Sequence, residues 1–154
     1  MELMIVISIM AILAAIAVPQ YNIFTYNNAL KSAARELAGD IQLIRQKAMA
    51  GSPSATVPLP YTLLFLDNTS YKYTIPSDIA PYNALTITKK VTDFHPDISI
   101  KFADITFPGN QVIFQGRGTI APWGKVTLTN FRQSTVTLTA SPPAGRINVQ
   151  YTMQ

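Results

Sequence analysis

Glu2-Leu3-Met4-Ile5-Val6-Ile7-Ser8-Ile9-Met10-Ala11-Ile12-Leu13-Ala14-Ala15-Ile16-Ala17-Val18-Pro19 decides the fold. Between residues 3 and 18 Ser8 is the only polar side chain, and no charge interrupts the run. A lone spanning helix needs roughly 17–25 apolar residues, so this one is slightly short. A cleaved signal peptide would need a basic start and a small-x-small cleavage site. The charge that precedes the run is the acidic Glu2, and the pattern continues into an amphipathic helix. The stretch therefore reads as a retained, membrane-embedded helix.

Its continuation is legible from spacing. Ile23, Leu30, Ala33, Ala34, Leu37, Ile41, Ile44 and Ala48 recur every three or four residues and form one stripe. Lys31, Arg35, Glu36, Asp40, Gln42 and Gln46 fall mostly on other faces. No opposite charges stand at i,i+4, so this half depends on packing against something else. Gly51 and Pro53 supply the stop. A helix of about 50 residues is about 75 Å long at 1.5 Å per residue. A compact domain of the remaining length is only about 30–40 Å across. The helix must therefore project, with its first half in lipid or among other subunits. Pro19, inside it, is expected to bend or locally unwind it.

Beyond residue 51 the pattern changes. Residues 52–60 form a linker with three prolines. Short runs rich in β-branched and aromatic residues follow at 61–66 and 71–75, flanking the turn Asp67-Asn68-Thr69-Ser70. Further strands are expected at 85–91, 98–102, 112–114, 125–129, 135–139 and 146–151. In the later ones Val126, Leu128, Val136, Leu138, Ile147 and Val149 point one way, and Thr, Asn and Gln the other. One buried and one wet face is the mark of an antiparallel sheet. The fold class is α+β: a long N-terminal helix, apolar in its first half, packed on a small antiparallel sheet domain.

Composition narrows the chemistry. The 154 residues are 48% hydrophobic and 13% charged, with no cysteine. The chain has ample material for a core. It can form no disulfide, thiol nucleophile or thiolate metal site. The net charge of +4 comes entirely from residues 101–154, where Lys101, Arg117, Lys125, Arg132 and Arg146 face Asp104 alone. His95, the single histidine, lies between Asp93 and Asp97, too few ligands for a usual structural metal site, and reads as part of a solvated loop. No G-x-S-x-G elbow and no phosphate loop are present. Gly116-Arg117-Gly118 reads as a turn or bulge, and Trp123 as a loop aromatic that anchors the sheet. No enzyme activity, cofactor or metal is expected.

Glu2-Leu3-Met4-Ile5-Val6, Ile9 to Val18, Pro19 and Tyr21 together resemble the N-terminal helix of type IV pilins and type II secretion pseudopilins. That family starts F-T-L-I-E-L-x-I-V and carries a proline at the end of its apolar stretch. Leu37-Ala38-Gly39-Asp40-Ile41-Gln42-Leu43-Ile44-Arg45-Gln46-Lys47-Ala48 resembles the helix end of the GspH/FimT branch. Phe114-Gln115-Gly116-Arg117-Gly118-Thr119, Val126-Thr127-Leu128 and Gly145-Arg146-Ile147 resemble that branch's C-terminal pattern.

The resemblance implies a minor pilin or pseudopilin with the pilin fold. Residues 1–24 would be a transmembrane and filament-core helix. Residues 25–154 would be the head, an amphipathic helix 25–50 plus a β-sheet over 61–154. Glu2 and Pro19 are the assembly residues it implies: the glutamate pairs with the terminal ammonium of a neighbouring subunit, and the proline is a melting point in the packed filament. Partners would be other pilin or pseudopilin subunits in a helical filament, and the bacterial inner membrane before assembly. The final location would be an extracellular pilus or a periplasmic pseudopilus.

The family glutamate lies four residues after a mature phenylalanine that follows a short basic leader. Here Met1 precedes Glu2, so neither leader cleavage nor N-methylation is read from these residues. Relatives that bind DNA carry a G-R-x-R pattern; here it is Gly145-Arg146-Ile147-Asn148, one arginine fewer. The alternative function is therefore weak DNA binding through Arg117, Lys125, Arg132 and Arg146. Arg146 equally reads as a strand-end residue pairing with Asp104.

Overall fold

The computed structural model describes residues 2–50, 60–76, 84–115, 118–120, 123–141 and 145–154. A single helix, α1 (Glu2–Ala50), runs for 49 residues. At 1.5 Å per residue it is about 74 Å long. Leu30, Ala33, Ala34, Leu37, Ile41, Ile44 and Ala48 are buried along one stripe, as their spacing predicts, and Ile23 is half-buried where the stripe begins. The expected stop at Gly51 and Pro53, and all of the linker but Pro60, lie outside the described residues.

Two features of α1 differ from expectation. The helix runs through Pro19 without the local unwinding that is one of its two expected effects. Proline removes one N–H donor toward residue 15, but intact bonds on both sides keep the chain helical. Asp40, assigned above to an outer face, is buried with the apolar stripe. It lies three residues after Leu37 and four before Ile44, which is stripe spacing.

Among the described residues the rest of the head forms two four-stranded antiparallel sheets rather than one. The first has the order β3 (Leu85–Lys90), β2 (Ser70–Ile75), β1 (Tyr61–Phe65), β5 (Gln111–Phe114). The second has the order β4 (Ser99–Ile100), β6 (Gly124–Thr129), β7 (Thr135–Ser141), β8 (Arg146–Thr152). The carboxylate of Asp67 shapes the β1–β2 turn, accepting from the Thr69 and Ser70 amides at 2.7 and 2.8 Å. The turn also ties the sheets together. The Ile100 amide donates to Asn68 O at 2.6 Å, and the Val91 amide to Thr69 O at 2.8 Å.

Alternation holds on both sheets. Tyr61, Leu63, Phe65, Tyr71, Tyr73, Val112 and Phe114 turn inward from the first. Ile100, Val126, Leu128, Val136, Leu138 and Ala140 do so from the second, with Ile147 and Val149 against them. The buried half of α1 packs on β1, β2 and β5 of one sheet and on β6 and β7 of the other, closing a single core. The molecule is thus α+β.

Candidate assembly surface

The projecting half of α1 is the largest feature the head does not use. From Leu3 to Val18 every residue is exposed, and the most apolar stretch is wholly unburied. The helix is long and apolar enough to cross a membrane. Its one polar side chain there is already satisfied, since the Ser8 hydroxyl donates to Met4 O at 2.7 Å. A helix meets its own backbone needs as well, so nothing in this segment requires water. Glu2 stands exposed in the first turn, where a carboxylate suits the helix dipole. Pro19 lies near the other end of the exposed stretch.

The head is fastened to α1 by a charged cluster. Lys89 of β3 donates to Glu36 Oε1 at 2.7 Å and to Asp40 Oδ1 at 2.9 Å. The Tyr71 hydroxyl of β2 donates to Asp40 Oδ2 at 2.7 Å. Burial, then the bond to Asp40, pushes the Tyr71 phenol far above its ordinary range. Desolvation pulls Lys89 downward, but its bonds to Glu36 and Asp40 outweigh that, and the ammonium sits above its usual value. Sequence reasoning missed this cluster. One signal was available: Glu36 and Asp40 place like charges at i,i+4, a repulsive arrangement that calls for a cation from elsewhere.

A second fastening lies where α1 leaves the head. Asn130, in the β6–β7 hairpin, donates from Nδ2 to Asn27 Oδ1 at 3.2 Å. Its own Oδ1 accepts from the Arg132 and Ser134 amides at 3.1 and 3.0 Å. His95 belongs here too. It is half-buried and meets the Tyr26 ring edge-on, 4.7 Å between centroids, so its loop docks on the helix instead of standing free in solvent. Among the described residues no group of His, Asp and Glu is placed to hold a metal ion.

Of the three described basic candidates, two share one end of a sheet and the third does not. Lys125, at the start of β6, aligns with Thr139 on β7, which aligns with Asn148 on β8, two residues from Arg146. These two cations share one end of the second sheet. Arg132 lies in the hairpin at the opposite end, and Arg117 lies outside the described residues. No ion pair joins Arg146 to Asp104; Arg146 is exposed at a strand end. Gly118 has φ of 68° and its amide donates to Gln115 O at 2.7 Å; Gly116 and Arg117, the rest of the expected turn, lie outside the described residues. The Gly118 carbonyl accepts from Arg45 Nε of α1 at 3.2 Å. Trp123 is 62% exposed, so it does not anchor the sheet. Its neighbour Gly124 carries the packing instead, lying directly against the Phe107 ring.

Comparison with protein-family models, with curated proteins and with solved structures finds no match. Function must therefore be argued from the geometry and from the N-terminal residues.

Proposed function

We propose that this chain is a structural subunit of a type IV pilus or type II secretion pseudopilus, a member of the GspH/FimT-like branch. It would be held in the bacterial inner membrane by the first half of α1 and then assembled through that half into a filament. One observation carries the reading: a single unbroken helix is apolar and fully exposed in its first half, and buried in the head in its second. Such a half-helix needs lipid, or the same surface of other subunits, on every side. One helix can meet lipid first and subunits later without refolding. The acid at its start accords with this, since a carboxylate entering an apolar bundle requires a positive partner. In this reading the chain catalyses nothing.

Glu2→Ala is the test. The head lies far along the helix from Glu2, so the variant should fold and still fractionate with membranes. Its recovery in sheared filaments, or its support of secretion, should fall by about tenfold, a loss of roughly 1.4 kcal/mol from one unmade charge pair. Normal incorporation would remove the pairing role.

A further inference from the structure

Where α1 emerges from the head, aromatic side chains collect on its exposed surface. Tyr21 and Phe24 of the helix are 70% and 65% exposed. Phe131, at the tip of the β6–β7 hairpin, is 71% exposed, and its ring lies 6.3 Å from that of Tyr26. Phe94 is exposed on the loop that carries His95. These rings come from three separate parts of the chain: Phe131 and the Phe94–His95 loop lie against Tyr26, which is within about 8 Å of Tyr21 and Phe24 along the helix axis. Arg132 follows Phe131, and its Nε is buried without a hydrogen-bond partner.

The level follows from the helix rise. Residues 3–23 cover about 30 Å, which is about the thickness of the hydrocarbon core. With that stretch centred in a bilayer, Tyr21 and Phe24 fall at the lipid–water boundary. The Tyr26–Phe131 contact lies within about one turn of it. Aromatic rings beside a cation are the chemistry of that boundary, the rings seated among headgroups and the guanidinium on phosphate. The same loop carries Asp93, and Asp97 lies 3.4 Å from His95 Nδ1, so the patch is not uniformly basic and its contact is mainly apolar.

We infer that the hairpin tip Phe131-Arg132 and the helix aromatics Tyr21 and Phe24 form a collar that seats the base of the head in the membrane surface. The head is then a membrane-contacting body, not a domain held clear on a stalk. This rests on the membrane-anchor part of the reading above and is independent of filament assembly.

The chain contains one tryptophan, Trp123, immediately before β6, while Phe131 follows the end of the same strand. Native Trp123 therefore reports on the distal end of the head. Phe131→Trp in a Trp123→Phe background reports on the collar, and Ile12→Trp in the same background reports on the span. The full-length variants are placed in vesicles of phosphatidylcholine and phosphatidylglycerol, brominated near the headgroup or deep in the chains. Shallow bromines should quench the indole at position 131 about threefold more than that of native Trp123, as boundary seating requires. Deep bromines should quench the indole at position 12. Arg132→Gln should roughly halve the quenching at 131, through loss of the phosphate contact. Strong quenching at 12, with position 131 no more quenched than Trp123, would overturn the collar and leave the anchor standing. No quenching at 12 would remove the anchor and the collar together. A blue-shifted indole at 131 that bromine does not quench would identify a second protein chain as the occupant, against this proposal.

Discussion

Asp40 is the residue on which the head's attachment to its helix turns. It is buried, and its two carboxylate oxygens are taken by Lys89 and Tyr71. Asp40→Ala leaves a buried phenol without its acceptor and an ammonium with one partner instead of two. The expected loss is about 2–3 kcal/mol, read as a lower denaturation midpoint with unchanged slope. The same cluster sets an alkaline limit. Lys89 and Tyr71 hold their protons more tightly folded than unfolded. Their contribution is therefore complete below the ordinary values of 10.5 and 10.0, and is lost as pH rises past them, because the unfolded chain releases its protons first. A stability profile should be level through neutrality and fall above about pH 10. Asp40→Ala should flatten that fall. Asp67 acts oppositely. Bonds from Ser70 and Thr69 hold its carboxyl down to about 2, so the turn's contribution is present above about pH 4 and fades as pH drops toward 2. None of this partnership is readable from a single strand of sequence. The Glu36–Asp40 repulsion announces a missing cation, but only the fold says that Lys89, some fifty residues away, supplies it.

At the scale of elements, period is what the sequence discloses well. The helical stripe and all eight strands stand where spacing and alternation place them, with ends shifted by a residue or a few. Prolines and glycines are less transparent, because their effect depends on what lies across from them. Pro19 carries a breaking signal, yet a helix with bonds on both sides absorbs it. Gly124 carries no signal beyond its place beside Trp123, yet it admits Phe107 into the core. A methyl group there would collide with the Phe107 ring, which itself stacks on Phe65. Gly124→Ala should cost about 1–3 kcal/mol by overpacking, seen as a lower melting temperature. Shrinking the ring in the double variant with Phe107→Leu should recover part of that loss, a coupling that no additive pair shows.

At the scale of the whole molecule, α+β class was legible and the division of the strands was not. Alternation tells which face of a strand is buried, but not which other strand it joins. The split into two sheets rests on long-range pairings such as β1 with β5 and β4 with β6. The fully buried residues that the helix lends to the core begin at Leu30, with Ala29 packed against them. Removing residues 1–24 should therefore yield a folded monomer soluble without detergent, while the full chain requires detergent. Size-exclusion chromatography with circular dichroism distinguishes the two, and an intact chain soluble as a monomer in plain buffer would end the membrane-helix reading.

An uninterrupted α1 also fixes an angular phase. Every residue advances the helix by about 100°, so the direction the head faces is geared to the anchor. One residue inserted between Pro19 and Asn27 would turn the whole head through about a quarter of a circle while lifting it only 1.5 Å. Seven would lift it about 10 Å and restore its bearing to within about 20°. Length and heading are thus a single variable in this molecule, and its helix tolerates insertions by the turn rather than by the residue.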